Sequence, residues 1–204
     1  MKIFVTGTDT DVGKTIISSW LCLHTGYHYF KPIQTGSTLG TDSHEVNKLT
    51  GTNVYKEDFL FEKESSPHLA ASIECRKIDI EEITLPKVSN LIIEGAGGIL
   101  VPINETIFMV DLIKKCATPV ILVARSTIGT INHTLLSLEA LRARNISILG
   151  IILNGQYNKD NLKAIEFYGK VKVLASIPTL QHISKENLIK VPFLVELQTI
   201  FNII

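Results

Sequence analysis

Gly7-Thr8-Asp9-Thr10-Asp11-Val12-Gly13-Lys14-Thr15 follows the apolar run Ile3-Phe4-Val5 and leads into Ile16-Ile17-Ser18-Ser19-Trp20-Leu21. A strand, a loop of small residues and a helix in that order read as a phosphate-binding loop. Glycines let backbone N–H groups close around phosphate oxygens, and the new helix points its partially positive end at the same anion. Lys14 is then placed to reach the β and γ oxygens of a nucleotide, and the Thr15 hydroxyl to bind Mg²⁺. The generic pattern has glycine where this chain has Thr8, and Gly7 stands one place earlier. From these residues alone, a Gly turn capped by Thr10 or Asp11 ahead of an ordinary helix is the competing account.

The chain beyond that loop alternates strand and helix signals. Tyr27 to Phe30 reads as a second strand that ends at Lys31-Pro32, where proline keeps Lys31 extended. Residues 33–41 read as a loop, and Asp42-Ser43 as the cap of a short helix through Leu49. Ser66-Pro67 opens another helix, and the charged stretch with Asp79, Glu81 and Glu82 reads as a solvated face. Leu91-Ile92-Ile93 is a continuous apolar run of the kind buried on both faces of a parallel sheet, and Glu94-Gly95-Ala96-Gly97-Gly98 follows it. Glu94 at that strand end suits a carboxylate on the metal side of a nucleotide site, but also a tight Gly turn with a solvated acid. Val120 to Val123 and Ile148 to Leu153 read as further buried strands and Val171 to Leu174 as the last. Between them helices are expected over 132–144 and near 161–168, and the tail over 193–201 carries a helical apolar stripe. The pattern predicts an α/β fold of the P-loop NTPase type, a mainly parallel sheet with helices on both faces and functional loops at the strands' C-terminal ends.

Composition bounds the partners. The chain has 204 residues, 45% of them hydrophobic, with 20 Lys+Arg against 20 Asp+Glu. That length and apolar content suit one domain over 1–204. With a pI near 7.0 nothing global attracts nucleic acid or an acidic membrane, so any anion is bound locally. The apolar run after Met1-Lys2 is too short for a signal peptide, and a cytoplasmic protein is expected. Cys22, Cys75 and Cys116 are widely spaced and read as buried, reduced thiols. His24 and His28 are not read as a zinc pair, because Gly26 is expected to break the helix between them.

Four stretches taken together resemble one family: residues 7–15, Lys31-Pro32-Ile33-Gln34-Thr35-Gly36, Glu94 to Gly98, and Gly129-Thr130-Ile131-Asn132-His133. They are similar to dethiobiotin synthetase, the ATP-dependent carboxylase that closes the ureido ring in biotin synthesis. That family writes its loop as Gly-Thr-Asp-Thr-x-Val-Gly-Lys-Thr, which accounts for the displaced glycine. The resemblance implies that Asp11, Val12, Gly13, Lys14, Thr15 and Ile16 bind the nucleotide, with Glu94, Gly95, Ala96 and Gly97 and, later, Asn154, Gly155 and Pro178. It implies that Thr15, Asp42 and Glu94 bind Mg²⁺, and that Lys31 and Lys14 are catalytic and hold a carbamate formed from CO₂ and 7,8-diaminononanoate. Thr10, Thr35 and the segment Gly129, Thr130, Ile131 and Asn132 are implied to contact substrate, the last near the boundary of a homodimer. The family reads adenine with an Asn-Asp pair, and Asn154-Gly155 lacks the acid, so selectivity for the base is expected to be low.

Two other readings compete for the same residues. A ParA/MinD-like partitioning ATPase carries a second lysine near the start of the loop, where this chain has Gly7-Thr8-Asp9, and its membrane-binding relatives need a basic tail. An amidotransferase-type cobyrinate synthetase needs a glutaminase domain, for which 204 residues leave no room.

Overall fold

The computed structural model describes residues 1–203. The chain opens with β1 (Lys2–Gly7), α1 (Lys14–Thr25), β2 (His28–Phe30), β3 (Ile33–Gln34), α2 (Asp42–Thr50), β4 (Val54–Tyr55) and β5 (Phe59–Leu60). It continues through α3 (Pro67–Ile73), β6 (Leu91–Gly98), α4 (Met109–Cys116), β7 (Val120–Arg125) and α5 (Thr130–Arg142). β8 (Ile148–Asn154), α6 (Lys159–Gly169), β9 (Val173–Ile177), α7 (Lys185–Ile189) and α8 (Val195–Ile200) complete it. Seven strands form one sheet in the order β4-β2-β6-β1-β7-β8-β9, with every neighbouring pair parallel.

Alternation along the strands divides the interior in two. Ile3 and Val5 of β1 face one way, with Ile92, Ile121 and Val123, and are covered by Ile17 and Trp20 of α1, Val46 of α2, Leu188 of α7 and Leu197 of α8. Phe4 faces the other way, with Ile93 and Leu122, under Ala70 of α3, Leu112 of α4, Leu138 of α5 and Ile165 of α6. A sheet buried on both faces explains why its strands read as unbroken apolar runs. β1 lies between β6 and β7; the chain leaves β1 through α1 for β2 on one side, and later crosses from β6 through α4 to β7 on the other, so the crevice at the C-terminal end of β1 is the switch point where such sheets bind ligands.

Several boundaries differ from expectation. β6 does not end before Glu94 but runs on to Gly98, because Val5 pairs with Glu94 and Gly7 with Gly98 across a register shift. Thr41, not Asp42-Ser43, caps α2, its side chain accepting from His44 N. α5 begins at Thr130, two residues early, because Gly129 takes the left-handed φ of 87° before it. The last strand is β9 at Val173–Ile177, since α6 persists to Gly169 and Lys170 turns left-handed after it. The segment 33–41 holds β3 and a 3-10 turn at Ser37–Leu39, β3 being drawn extended by its pairing with β5. The stretch around Asp79 is not merely solvated: Asp79 caps a 3-10 turn, and Lys115 pairs with Glu81. Gly26 does end α1, in the left-handed conformation. Of the cysteines Cys22 is buried and Cys116 half-buried, but Cys75 is exposed, in the left-handed turn that ends α3. Among the described residues no helix is long and apolar enough to cross a membrane.

Candidate functional site

The loop after β1 is shaped by two glycines with different reasons to be glycine. A Cβ on Gly7 would stand 2.7 Å from Val12 Cγ2 and 2.8 Å from Asp9 O, so the loop doubles back tightly over Gly7 and leaves Thr8 free to carry a side chain. Gly13 has φ 95°, and a Cβ there would meet Asn154 Nδ2 at 2.0 Å. α1 starts directly after it with no capping side chain and no acidic residue in its first turn. Its orphan N–H groups and the helix dipole therefore address whatever anion enters the loop.

Beside the loop lies a cluster of two lysines and two carboxylates. β2 pairs with β6 so that Phe30 stands opposite Ile93, which brings the next residues, Lys31 and Glu94, together. Lys31 Nζ lies 2.8 Å from Asp42 Oδ2 and 3.2 Å from Glu94 Oε1 and donates to Gly95 O at 3.3 Å. All three ammonium hydrogens thus have an acceptor within the protein. Burial works against the Lys31 charge, but Glu94 and Asp42 outweigh it and hold its pKa above the ordinary 10.5. Lys14 Nζ donates to Asp9 O at 3.0 Å. Burial, then repulsion from Lys31, pushes the Lys14 ammonium down to about 8, with Glu94, Asp42 and Asp11 opposing.

The same carboxylates keep acceptor capacity that these lysines do not fill. Thr15 Oγ1 is 2.9 Å from Asp42 Oδ1 and 2.9 Å from Glu94 Oε1, yet its hydroxyl has one hydrogen to donate. Glu94 is 1% exposed, and its Oε2 makes no full hydrogen bond, the nearby buried Tyr29 hydroxyl being likewise unsatisfied. An unpartnered buried carboxylate oxygen beside a second acid and a hydroxyl suits a hard divalent cation. Among the described residues there is no cluster of three His, Cys, Asp or Glu that would bind a metal alone. A site of two carboxylates and a hydroxyl is the kind Mg²⁺ completes with water and substrate phosphates.

With this geometry in place, relatives can be compared. A family model described as an AAA domain matches residues 1–187. An ATP-dependent dethiobiotin synthetase from Lawsonia intracellularis is 53% identical, over 98% of this chain and 99% of its own. The chain belongs to the ATP-dependent dethiobiotin synthetase family. A second member, from Paramagnetospirillum magneticum, is 46% identical over 93% of this chain and 94% of its own length. Among solved structures, a ParA family ATPase from Chlorobium tepidum superposes with a TM-score of 0.60 at 12% identity, over 98% of this chain and 95% of that one. That likeness is one of P-loop fold alone.

The residues implied by dethiobiotin synthetase membership do not all fall in one place. Thr10, Asp11, Gly13, Lys14, Thr15, Ile16, Lys31, Asp42, Glu94, Ala96 and Gly97 line one cleft of about 310 Å³. Val12 stands by it but turns its side chain into the core, and Gly95 contributes its carbonyl to Lys31. Asn154 and Gly155 end β8 on the far side of the loop, and Asn154 Nδ2 donates to Val12 O at 3.0 Å. Pro178, after β9, borders a second cleft of about 400 Å³ with Leu180, Asn187 and Lys190. α7, capped by Ser184 but too short to show a helical apolar period, therefore adds Asn187 beside Pro178. Gly129 to Asn132 stand apart from the phosphate loop. The helix they start borders a third cleft, of about 440 Å³, through His133, Leu136 and Ser137, opposite Thr8, Asp9 and Gly98. Thr35 is half-buried outside the first cleft, where its neighbour Gln34 stands instead. Gln34 Oε1 accepts from Asp42 N at 2.9 Å, and its Nε2 donates to Thr35 O at 2.7 Å, so it fixes the first residue of α2. Sequence reading passed over Gln34, although it lies inside the Lys31 to Gly36 stretch.

Proposed function

We propose that this protein carboxylates 7,8-diaminononanoate with CO₂ at the expense of ATP and closes the ureido ring to give dethiobiotin. The observation that carries the reading is the convergence of Lys14, Lys31, Thr15, Asp42 and Glu94 on one cleft at the phosphate loop. One amine of the diamine adds to CO₂ and loses a proton, forming a carbamate. A carbamate oxygen then takes the γ-phosphoryl group of ATP, ADP leaves, and a carbamic–phosphoric anhydride results. The second amine attacks its carbonyl carbon, phosphate departs with the bonding pair, a proton is released and the ring closes.

Two anions must meet in line for the phosphoryl transfer, and cations between them are what the protein contributes. Lys14 faces the triphosphate from the helix start, and Lys31 holds the carbamate, trading one of its carboxylate or carbonyl partners for it. Thr15, Asp42 and Glu94 would hold Mg²⁺, which when bound supplies positive charge to the phosphate oxygens. No side chain need be acylated or phosphorylated. Thr10, in the cleft wall, contacts the substrate, Thr35 stands outside that wall and leaves the place to Gln34, and Gly129 to Asn132 approach the substrate from the second copy of a homodimer. Exposed Ile128, Leu136, Phe167 and Tyr168, on and beside α5 and α6, support such a pairing. Three free cysteines suit a reducing, cytoplasmic setting.

Asn154, Gly155 and Pro178 flank the base. Asn154 gives one Nδ2 hydrogen to Val12 O and keeps the other hydrogen and Oδ1 for adenine, but Gly155 adds no side chain beside it, so the grip on the base rests on one residue, which supports weak discrimination between bases. The test is incubation of the purified protein with ATP, Mg²⁺, bicarbonate and diaminononanoate, with dethiobiotin read by mass spectrometry. Product formation dependent on all four is expected. ATP hydrolysis indifferent to the diamine and bicarbonate, without product, would refute the assignment.

A further inference from the structure

Three consecutive carbonyls of the phosphate loop are held from the ends of the neighbouring strands. Arg125, the last residue of β7, donates from Nη2 to Thr10 O at 3.3 Å and to Asp11 O at 2.7 Å. Asn154, its register partner at the end of β8, donates to Val12 O at 3.0 Å. No peptide bond is cis. In a trans peptide the N–H of the following residue points opposite to the carbonyl, so pulling these three carbonyls toward β7 and β8 turns the N–H groups of Asp11, Val12 and Gly13 the other way. Among the described residues none of those three N–H groups has a partner within the protein. Asp11 at φ 54° and Gly13 at φ 95° supply the left-handed turns that bend successive N–H groups into an anion-binding hollow. Arg125 is exposed and makes no ion pair among the described residues, so its charge serves nothing else in the fold.

We propose that Arg125 is a positioning residue for the triphosphate: by holding the Thr10 and Asp11 carbonyls it keeps the loop's N–H groups set for phosphate before nucleotide arrives. This rests on the reading of residues 7–15 as a phosphate-binding loop. Arg125 acts through the loop, so its loss weakens nucleotide binding and leaves the chemical step largely alone.

The experiment compares the full-length wild type with Arg125→Ala and Arg125→Lys. It measures Kd for Mg-ATP by calorimetry, KM for ATP and for the diamine, kcat and Tm. For Arg125→Ala, Kd and KM for ATP rise about tenfold, as expected for lost charge-assisted hydrogen bonds. Its kcat stays within about threefold, and KM for the diamine does not move. Arg125→Lys, which keeps the charge and a donor, falls between. Because the site is exposed, millimolar guanidinium restores ATP affinity to Arg125→Ala and does nothing to wild type. An unchanged ATP affinity overturns the proposal. So does a fall in kcat at constant KM, which would put Arg125 on the transferring phosphoryl group. A loss that follows Tm and resists guanidinium also overturns it, as a purely structural effect. A wild type that fails to bind Mg-ATP refutes the phosphate-loop reading itself.

Discussion

Replacing Lys31 with methionine keeps an unbranched apolar stem and removes the ammonium, which separates the charge from the packing. In the wild type that ammonium serves Asp42 at 2.8 Å and Glu94 at 3.2 Å. The Glu94 side chain is fully buried and cannot replace the lost partner with water, whereas that of Asp42 is 33% exposed and can do so in part. Removing one member of a buried ion pair costs about 3–5 kcal/mol, and the exposure of Asp42 argues for the lower figure, about 3 kcal/mol. For a chain of this size that lowers Tm by roughly 6–12 °C.

The pH range follows from both partners. Lys31 has its folded-state pKa raised above 10.5, so its contribution is complete below that value and is lost as pH rises through the folded one. Burial raises the Asp42 pKa, but Lys31 and the hydrogen bonds from Lys31 and Thr15 outweigh it and hold it below 3.8. Its contribution is present above 3.8 and lost as pH falls through the folded value. Calorimetric scans near neutral pH therefore read the full difference, which narrows in acid. Adding Mg²⁺ returns positive charge to the two acids and raises Tm more in the variant than in wild type. Turnover falls by about 10²–10³ with the loss of one charge on the reacting carbamate. A Tm within about 2 °C of wild type in metal-free buffer, or an equal Mg²⁺ shift in both proteins, would refute the role of Lys31 as counter-charge.

Glu94→Gln keeps the shape and removes a metal-side charge, so saturation of turnover needs more Mg²⁺; an unchanged magnesium titration would return Glu94 to a structural part. Lys14, pushed down to about 8 in the free protein by burial and by Lys31, regains its proton beside a triphosphate. Nucleotide binding at about pH 9 therefore takes up close to one proton, read as a buffer-dependent enthalpy, and the free protein gains stability as pH rises from about 8. A binding enthalpy independent of buffer at that pH would refute this. With Asn154 the one side chain of the Asn154-Gly155 pair able to read the base, kcat/KM for ATP exceeds that for GTP and CTP by less than about 10³-fold; a larger ratio would show that the side chains around Pro178 and α7 close over the base.

Local chemistry made the phosphate loop legible in the sequence, because glycine, lysine and threonine at that spacing between a strand and a helix have few other uses. The buried strands were legible for a related reason, as a sheet covered on both faces needs unbroken apolar runs such as Leu91 to Ile93 and Val120 to Val123. α4 was not read, since Met109, Val110, Leu112 and Ile113 make only two turns and look like any short apolar cluster until they pack on β6. Glu94 was ambiguous because glycines on its C-terminal side look like a turn. Pairing with β1 draws them into β6 and buries the acid. The contacts among Lys31, Asp42 and Glu94 depend on the order β2-β6-β1, and strand order is set by which faces and edges fit, a long-range property that no local pattern carries. The hold of Arg125 on the loop has the same origin: 114 residues separate it from Asp11, and only the pairing of β1 with β7 brings them within a hydrogen bond.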